Sequence, residues 1–377
     1  MKLGVYIHIP FCRHKCAYCD FPSYEQLEHW YDRYVDALRR EIAGQGILFP
    51  EAVVDTIYVG GGTPTVLPEK LLTGVIREVC DQFCLAADAE ITVEANPGTV
   101  ARETLAALRT AGINRISFGV QSFDDQLLAR MGRIHSASQG IEAVRQARQA
   151  GIDNISIDLM YDLPGQSVAD WEYSLKTAVS LGVNHISAYG LKIEEGTPFA
   201  EQFSAGLLSL PDDDEQEAMY DLTNIYLAAQ GYERYEISNY ARPGYQCRHN
   251  LKYWRFQPYL GIGAAAHSFI NGERIANTSN VERYIKNIMQ EISPVENRDC
   301  LDDTTAMAEY CFLHLRMSDG ICLHDFSKQF GVSFTAMYGT DVAKLAELGL
   351  VILAHDRVRL SSLGMKYGNQ IFCVFLP

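Results

Sequence analysis

The sequence predicts an α/β fold, an open, partial (β/α)6 barrel followed by a smaller, mainly helical C-terminal unit of winged-helix-like shape. Three observations predict it. From the N-terminus onward, short β-branched or aromatic runs alternate with longer segments of helical period, the pattern of βα units around a parallel sheet. A phrase repeats within that pattern: Gly112-Ile113-Asn114-Arg115-Ile116-Ser117 returns as Gly151-Ile152-Asp153-Asn154-Ile155-Ser156 and as Gly182-Val183-Asn184-His185-Ile186-Ser187. The units number six rather than eight, which leaves the barrel open and places its site at the C-terminal ends of the strands.

Taken in order, strands are expected near 4–9, 55–60, 90–95, 115–120, 154–160 and 185–191. Helices are expected between them, near 25–45, 68–83, 101–111, 136–150 and 167–181, with another near 213–230. In each copy of the repeated phrase the glycine ends a helix through a left-handed C-cap before an Ile-rich strand begins. The copies are too irregularly spaced for a solenoid. These units make up a first domain over 1–240. A Tyr-, Arg-, Pro- and Gly-rich connecting region over 241–300 follows, and then a helical domain over 301–377. Phe326 to Phe330, Thr335 to Leu348 and Val351 to Leu360 fit a helix-turn-helix with a wing. Residues 311–377 carry six Lys or Arg against five Asp or Glu, so that shape is not expected to read DNA.

Composition narrows the function. With 47% hydrophobic and 21% charged residues over 377 positions, the chain is ordinary globular material. A net charge of -15 leaves no excess of cations to neutralise a phosphate backbone, so no nucleic-acid partner is expected. Ten cysteines are too dilute for a disulfide scaffold. The N-terminal stretch does not resemble a signal peptide, and no run of 18 apolar residues could span a membrane. A cytoplasmic location is the expectation.

Three cysteines do cluster. Cys12-x3-Cys16-x2-Cys19 puts three soft thiolate donors within eight residues, on the loop after the first strand. Three thiolates suit an iron-sulfur cluster with one iron left open. A zinc site completed by His8 or His14 is the alternative, and spacing alone does not choose between them. Gly60-Gly61-Gly62-Thr63-Pro64-Thr65 follows the second strand, where glycines let backbone amides approach a ligand closely. Taken alone, the triplet reads more readily as a tight strand-to-helix turn. Later strand ends supply Glu94, Gln121 and Asp158, polar side chains beside strands otherwise fit for burial, where an unpaired polar group is costly.

With Tyr6-Ile-His-Ile-Pro-Phe-Cys12-x3-Cys16-x-Tyr18-Cys19, the chain closely resembles the radical-SAM family around coproporphyrinogen oxidases and HemW-type haem chaperones. The resemblance covers nearly the whole chain. It implies a radical-SAM barrel with a 4Fe-4S cluster on Cys12, Cys16 and Cys19, whose fourth iron is chelated by S-adenosylmethionine. An electron from the cluster can split the sulfonium to a 5'-deoxyadenosyl radical. It also implies that Tyr6, Gly62, Thr63, Glu94, Gln121, Arg133 and Asp158 line the cofactor site, and Tyr18 and Gly61 join them as cofactor-binding candidates. Without the resemblance, Arg133 would read as a surface cation on a helical stretch.

Two departures separate the chain from the oxidases of that family. They carry another cysteine two residues after the third cluster ligand, where this chain has Phe21, and they tend to have more chain ahead of the first strand. Arg248-His249-Asn250-Leu251-Lys252-Tyr253-Trp254 matches the His-Asn-x-x-Tyr-Trp signature that the HemW type associates with haem. By its chemistry His249 offers an imidazole to iron, Tyr253 and Trp254 offer flat faces to a macrocycle, and Asn250 completes the candidate haem-binding set. The bland alternative makes these core aromatics and a satisfied structural histidine. Cys247 and His267 are weaker candidates for the iron. Two positions depart from relatives, with Asp162 where they usually have glycine and alanines after Gly263 where they often have more glycine.

The expectation is therefore a haem chaperone that carries haem as cargo to haem-requiring acceptor proteins, some membrane-bound. It draws on an electron donor and forms a homodimer. Whether S-adenosylmethionine is consumed stays open. The enzyme alternative is oxygen-independent coproporphyrinogen III oxidation. An RNA-modifying radical-SAM enzyme and a non-catalytic zinc scaffold are the other two.

Overall fold

A computed structural model of the protein describes residues 1–376. Six parallel strands form its centre: β1 (Lys2–Ile9), β2 (Val53–Gly61), β3 (Cys84–Ala95), β4 (Arg115–Gln121), β5 (Asn154–Tyr161) and β6 (His185–Gly190). They are hydrogen-bonded in that order. Their inner residues are almost all buried, as strands covered on both faces must be. The helices between them are α1 (Tyr31–Leu48), α2 (Glu69–Gln82), α3 (Arg102–Thr110), α4 (Asp125–Arg130), α5 (Ala137–Gln149) and α6 (Val168–Ser180). Two more helices follow β6, α7 (Pro198–Ser204) and α8 (Asp213–Ala229). The expected open α/β barrel is the architecture observed.

Local sequence explains many of the boundaries. Ser136 with Gln139, Ser167 with Asp170 and Asp212 with Glu215 form reciprocal capping boxes at the starts of α5, α6 and α8. At the other ends, Gly112, Gly151 and Gly182 take φ of 105°, 81° and 64°, as the repeated phrase requires. The phrase has a second use. The Asn114 side chain accepts from Ile91 N (2.9 Å) and donates to Ala89 O (2.7 Å), and Asn184 accepts from Ile155 N (3.2 Å). Each asparagine thus ties the start of its own strand to the preceding one.

Beyond residue 230 the chain extends this sheet at both edges, which the sequence did not foretell. The short strands β7 (Glu233–Arg234) and β8 (Asn239–Ala241) add to the edge at β6, with β8 antiparallel to it. Helix α9 (Arg248–Trp254) then leads to β9 (Tyr259–Ile262), which lies parallel to β1 on the opposite edge. From there β10 (His267–Ile270), β11 (Glu273–Asn277) and β12 (Val295–Cys300) continue outward, with α10 (Val281–Met289) between the last two, to complete a 12-stranded sheet. Buried Glu41 on α1 locks this return in place by accepting from Gly263 N and Asn277 Nδ2, both at 2.9 Å.

The two departures noted in the sequence have a backbone meaning. Asp162 and Ala265 have φ of 61° and 60°, in the left-handed region that glycine occupies freely. Side chains there carry strain that glycine would not.

The C-terminal part has its own core, from Met307 to Phe375. It comprises α11 (Asp303–Arg316), β13 (Ile321–Cys322), α12 (Leu323–Phe330), α13 (Phe334–Glu347), β14 (Val351–Ala354), β15 (Arg357–Leu360) and the short helices α14 (Ser362–Lys366) and α15 (Gly368–Phe372). Strands β13, β15 and β14 form a small antiparallel sheet beside α12 and α13. Two helices joined by a turn and followed by a hairpin give the winged shape expected. Among the described residues, no helix is long and apolar enough to cross a membrane.

Candidate functional site

At the C-terminal mouth of the six strands lies a cavity of about 520 Å³. The loop after β1 and the loop after β2 form one side of it and are stitched together through the backbone: Gly62 N donates to Ile9 O (2.9 Å) and Thr63 N to Phe11 O (2.8 Å). The loop carrying the cysteines is also held from outside. Ala17 N donates to Met131 O (3.0 Å) just past α4, and Phe199 N at the start of α7 donates to Ala17 O (2.9 Å). Neither helix was expected from the sequence, and both position this loop.

Cys12, Cys16 and Cys19 all line the cavity. Cys12 Sγ lies 3.7 Å from Thr63 Oγ1, and Arg133 Nη1 donates to Cys16 Sγ at 3.4 Å. Desolvation raises the pKa of the Cys12 and Cys19 thiols. Among the described residues, no three His, Cys, Asp or Glu side chains gather tightly enough to hold one metal ion.

The remaining walls come from the strand ends. Gly61 ends β2 with Gly62 and Thr63 just beyond it, Glu94 lies near the end of β3 and Asn96 just past it, Gln121 ends β4, and Asp158 and Met160 lie on β5. Glu94 Oε1 accepts from the Tyr58 hydroxyl (2.7 Å) and Oε2 from Gly61 N (3.2 Å). Burial and the nearby Asp158 push its carboxyl up to about 7 against those two hydrogen bonds. Asp158 accepts from Ser187 Oγ (2.6 Å), and burial raises its pKa too. Arg133 is not on a helix. It sits in the turn after α4, half-buried, donating from Nη2 to Gly119 O, while its Nε is buried with no partner.

Of the nine residues expected at the cofactor, eight line the cavity. Tyr6 does not; it lies deeper in the barrel, with its hydroxyl 2.9 Å from His8 Nδ1. Residues not foreseen also face the cavity, among them Asn96, Met160, Tyr189, Lys192 and Glu194. Their one sequence signal is position at or just beyond a strand end, which marks a place and not a particular side chain.

The His-Asn-x-x-Tyr-Trp segment is elsewhere. It forms α9 at the N-terminal mouth of the barrel, opposite the cysteines. His249 packs near Gly4 at the start of β1, and its backbone N–H, like that of Arg248, donates to the Glu90 carboxylate at 3.2 Å. Lys252 and Asp55 form a buried ion pair at 2.8 Å. His249 is 1% exposed, with Nδ1 at 2.9 Å from Thr56 Oγ1 and Nε2 at 2.8 Å from Tyr253 OH. The imidazole expected to face haem iron thus has both ring nitrogens engaged inside the barrel in this structure. Asn250, Tyr253 and Trp254 are partly exposed, and the Arg316 guanidinium lies over the Trp254 ring at 4.4 Å. Cys247 is fully buried, 3.7 Å from Glu90 Oε1, while His267 is exposed at the start of β10.

Comparison with known proteins agrees with this architecture. The Radical SAM superfamily matches residues 6–178 and the HemN C-terminal domain matches residues 301–366. A Bacillus subtilis protein named heme chaperone HemW is 37% identical, covering 99% of both chains. Proteins of the same name from Lactococcus lactis (36% identical, 99% of this chain and 97% of that one) and Escherichia coli (42%, 76% of each) also match. Among solved structures, the Escherichia coli coproporphyrinogen III oxidase HemN superposes with a TM-score of 0.87 over 99% of this chain and 89% of that one. At 24% identity that likeness speaks to the fold.

Proposed function

Because the chain belongs to the HemW family within the radical SAM superfamily, we propose that it is a haem chaperone that binds haem and passes it to haem-requiring proteins. The observation that carries the proposal is the full-length match to relatives bearing that name. Phe21 agrees with it: this largely exposed ring lies on the cavity wall at the position where the resembled oxidases carry another cysteine.

The superfamily implies a 4Fe-4S cluster and S-adenosylmethionine. Cys12, Cys16 and Cys19 are our choice for the cluster. Gly61, Gly62, Thr63, Glu94, Gln121, Arg133, Asp158 and Tyr18 are our choice for the nucleotide. Three features of the chain fit these groups: thiols facing one cavity, a glycine turn whose added Cβ would collide with the cysteine loop, and the unpartnered Arg133 Nε. When bound, the cluster supplies one-electron reducing chemistry toward a sulfonium. The protein's part is to hold and orient the ligand, with Glu94 and Asp158 giving the cavity negative charge that suits a net cation.

For haem, the partly exposed Asn250, Tyr253 and Trp254 are the proposed contacts, with Arg316 stacked on Trp254 as a cation near them. Acceptor proteins and an electron donor complete the proposed partners.

The deciding experiment incubates the cluster-reconstituted protein anaerobically with coproporphyrinogen III, S-adenosylmethionine and a reductant, beside an authentic oxidase. Haem titration and transfer to an apo-acceptor are measured in parallel. We expect haem to bind and transfer, with no protoporphyrinogen formed. Sustained turnover would make the protein an oxidase instead.

Glu94 gives a further expected result. A raised carboxyl pKa means that the group is neutral below about 7 and charged above it. Affinity for cationic S-adenosylmethionine should therefore rise with pH through neutrality and fall toward about tenfold per unit on the acid side. Glu94→Gln should weaken binding and flatten that profile, and an unchanged slope in the variant would remove Glu94 from this role.

A further inference from the structure

The segment at the N-terminal mouth reaches the cavity at the other end through two rings. The His249 imidazole stacks on Tyr58, with centroids 5.3 Å apart and planes inclined by 27°. Tyr58 lies on β2 and points into the barrel, and its hydroxyl donates to Glu94 Oε1 at 2.7 Å. The second Glu94 oxygen accepts from Gly61 N at 3.2 Å. One carboxylate therefore joins the glycine turn to a phenol whose face rests on His249.

His249 is itself well restrained. Thr56 and Tyr253 occupy its two nitrogens, and Glu90 accepts from its backbone N–H. Burial, with Lys252 and Arg115 nearby, lowers its pKa to about 3, so the ring is neutral. A neutral ring has one donor and one acceptor nitrogen. The two hydroxyls satisfy both in either tautomer, and nothing is left over for a metal. A ring locked on both edges presents a fixed face, and the Tyr58 ring packs on that face.

We propose that His249 is a positioning residue for the S-adenosylmethionine pocket: its stack on Tyr58 sets the phenol that aims Glu94 into the cavity. The His-Asn-x-x-Tyr-Trp segment then has an internal role at its histidine, which the Tyr253 hydroxyl holds from one edge, and an outward one at Asn250, Tyr253 and Trp254. This inference rests on the reading of the cavity as a nucleotide pocket.

The test titrates the full-length, cluster-reconstituted protein with S-adenosylmethionine anaerobically, following the EPR spectrum of the reduced cluster. Tyr58→Phe removes one hydroxyl from a charged acceptor, and His249→Ala removes the stacked face. Each should raise the Kd on the order of tenfold, with cluster iron close to wild type. The double variant should be no worse than the more affected single one, because both act through Glu94. His249→Phe retains a flat ring and should recover most of the affinity. It also carries the test, together with Tyr58→Phe, if the alanine variant does not fold.

Wild-type affinity in His249→Ala or Tyr58→Phe, or additive losses in the double variant, would overturn the inference and leave the pocket reading intact. Loss of cluster iron in His249→Ala would overturn it too, by making the residue a general stabiliser. No spectral response in the wild type would remove the pocket reading and the inference with it.

Discussion

Replacing Cys12, Cys16 or Cys19 by alanine should abolish the brown colour of the anaerobically reconstituted protein and reduce its iron from about four per chain to near zero. The three thiols lie on one short loop and face one cavity. That loop is bonded on both flanks, to the glycine turn and to the chain around α4 and α7, so the alanine variants should keep the barrel. Cluster loss with the fold retained is thus the expected result, read by iron content and visible absorption beside far-UV circular dichroism. An intact cluster in any one of the three variants would defeat the assignment. A colourless wild type that takes up zinc instead would restore the alternative that spacing left open.

The second large effect is expected at Gly62. A Cβ built there would lie 2.6 Å from Phe11 O and 3.0 Å from Cys12 Sγ. The neighbours cannot yield easily, because the hydrogen bonds from Gly62 N and Thr63 N hold these two loops in register. Gly62→Ala should force them apart and displace Cys12. Overpacking of this kind costs typically about 1–3 kcal/mol, or roughly 5- to 150-fold in affinity. Binding of S-adenosylmethionine should weaken by about that factor, and cluster occupancy should fall. Gly74 on α2 is the control, since an added Cβ there meets nothing within 4 Å. Gly74→Ala should leave both properties unchanged and stabilise the helix by roughly 0.5–1 kcal/mol. Equal behaviour of the two variants would show that the cradle at Gly62 is not needed.

Much of the barrel was readable in the chain because its signals are local. The repeated Gly-Ile-Asn phrase marks helix end and strand start within a few residues, and left-handed φ at Gly112, Gly151 and Gly182 realises that signal. The cysteine triplet, the glycine turn and the polar strand ends are likewise short patterns on predictable elements. Helices α4 and α7 escaped notice because six or seven residues are too few to establish a period. Arg133 looked helical and exposed for a related reason. Its burial comes from the cysteine loop and from Gly119, distant in sequence, and no local pattern reports either.

Residues 241–300 mark the limit of such reading. Their texture resembles a connecting segment, yet β9 pairs with β1 across some 255 positions, Gly4 opposite Tyr259. Four short residues carry too little periodicity to declare that partner.

By itself, then, the sequence determined the open α/β barrel, the winged C-terminal shape, the place of the cavity at the strand ends and the thiols that face it. These depend on alternation, caps and spacing, which act over a few residues. Only the tertiary structure decided that the His-Asn-x-x-Tyr-Trp segment seals the opposite mouth, that His249 has no free nitrogen, and that Tyr58 links it to Glu94. Those facts arise from side chains brought together across long stretches of chain, where buried polar groups must find partners in whatever element packs beside them.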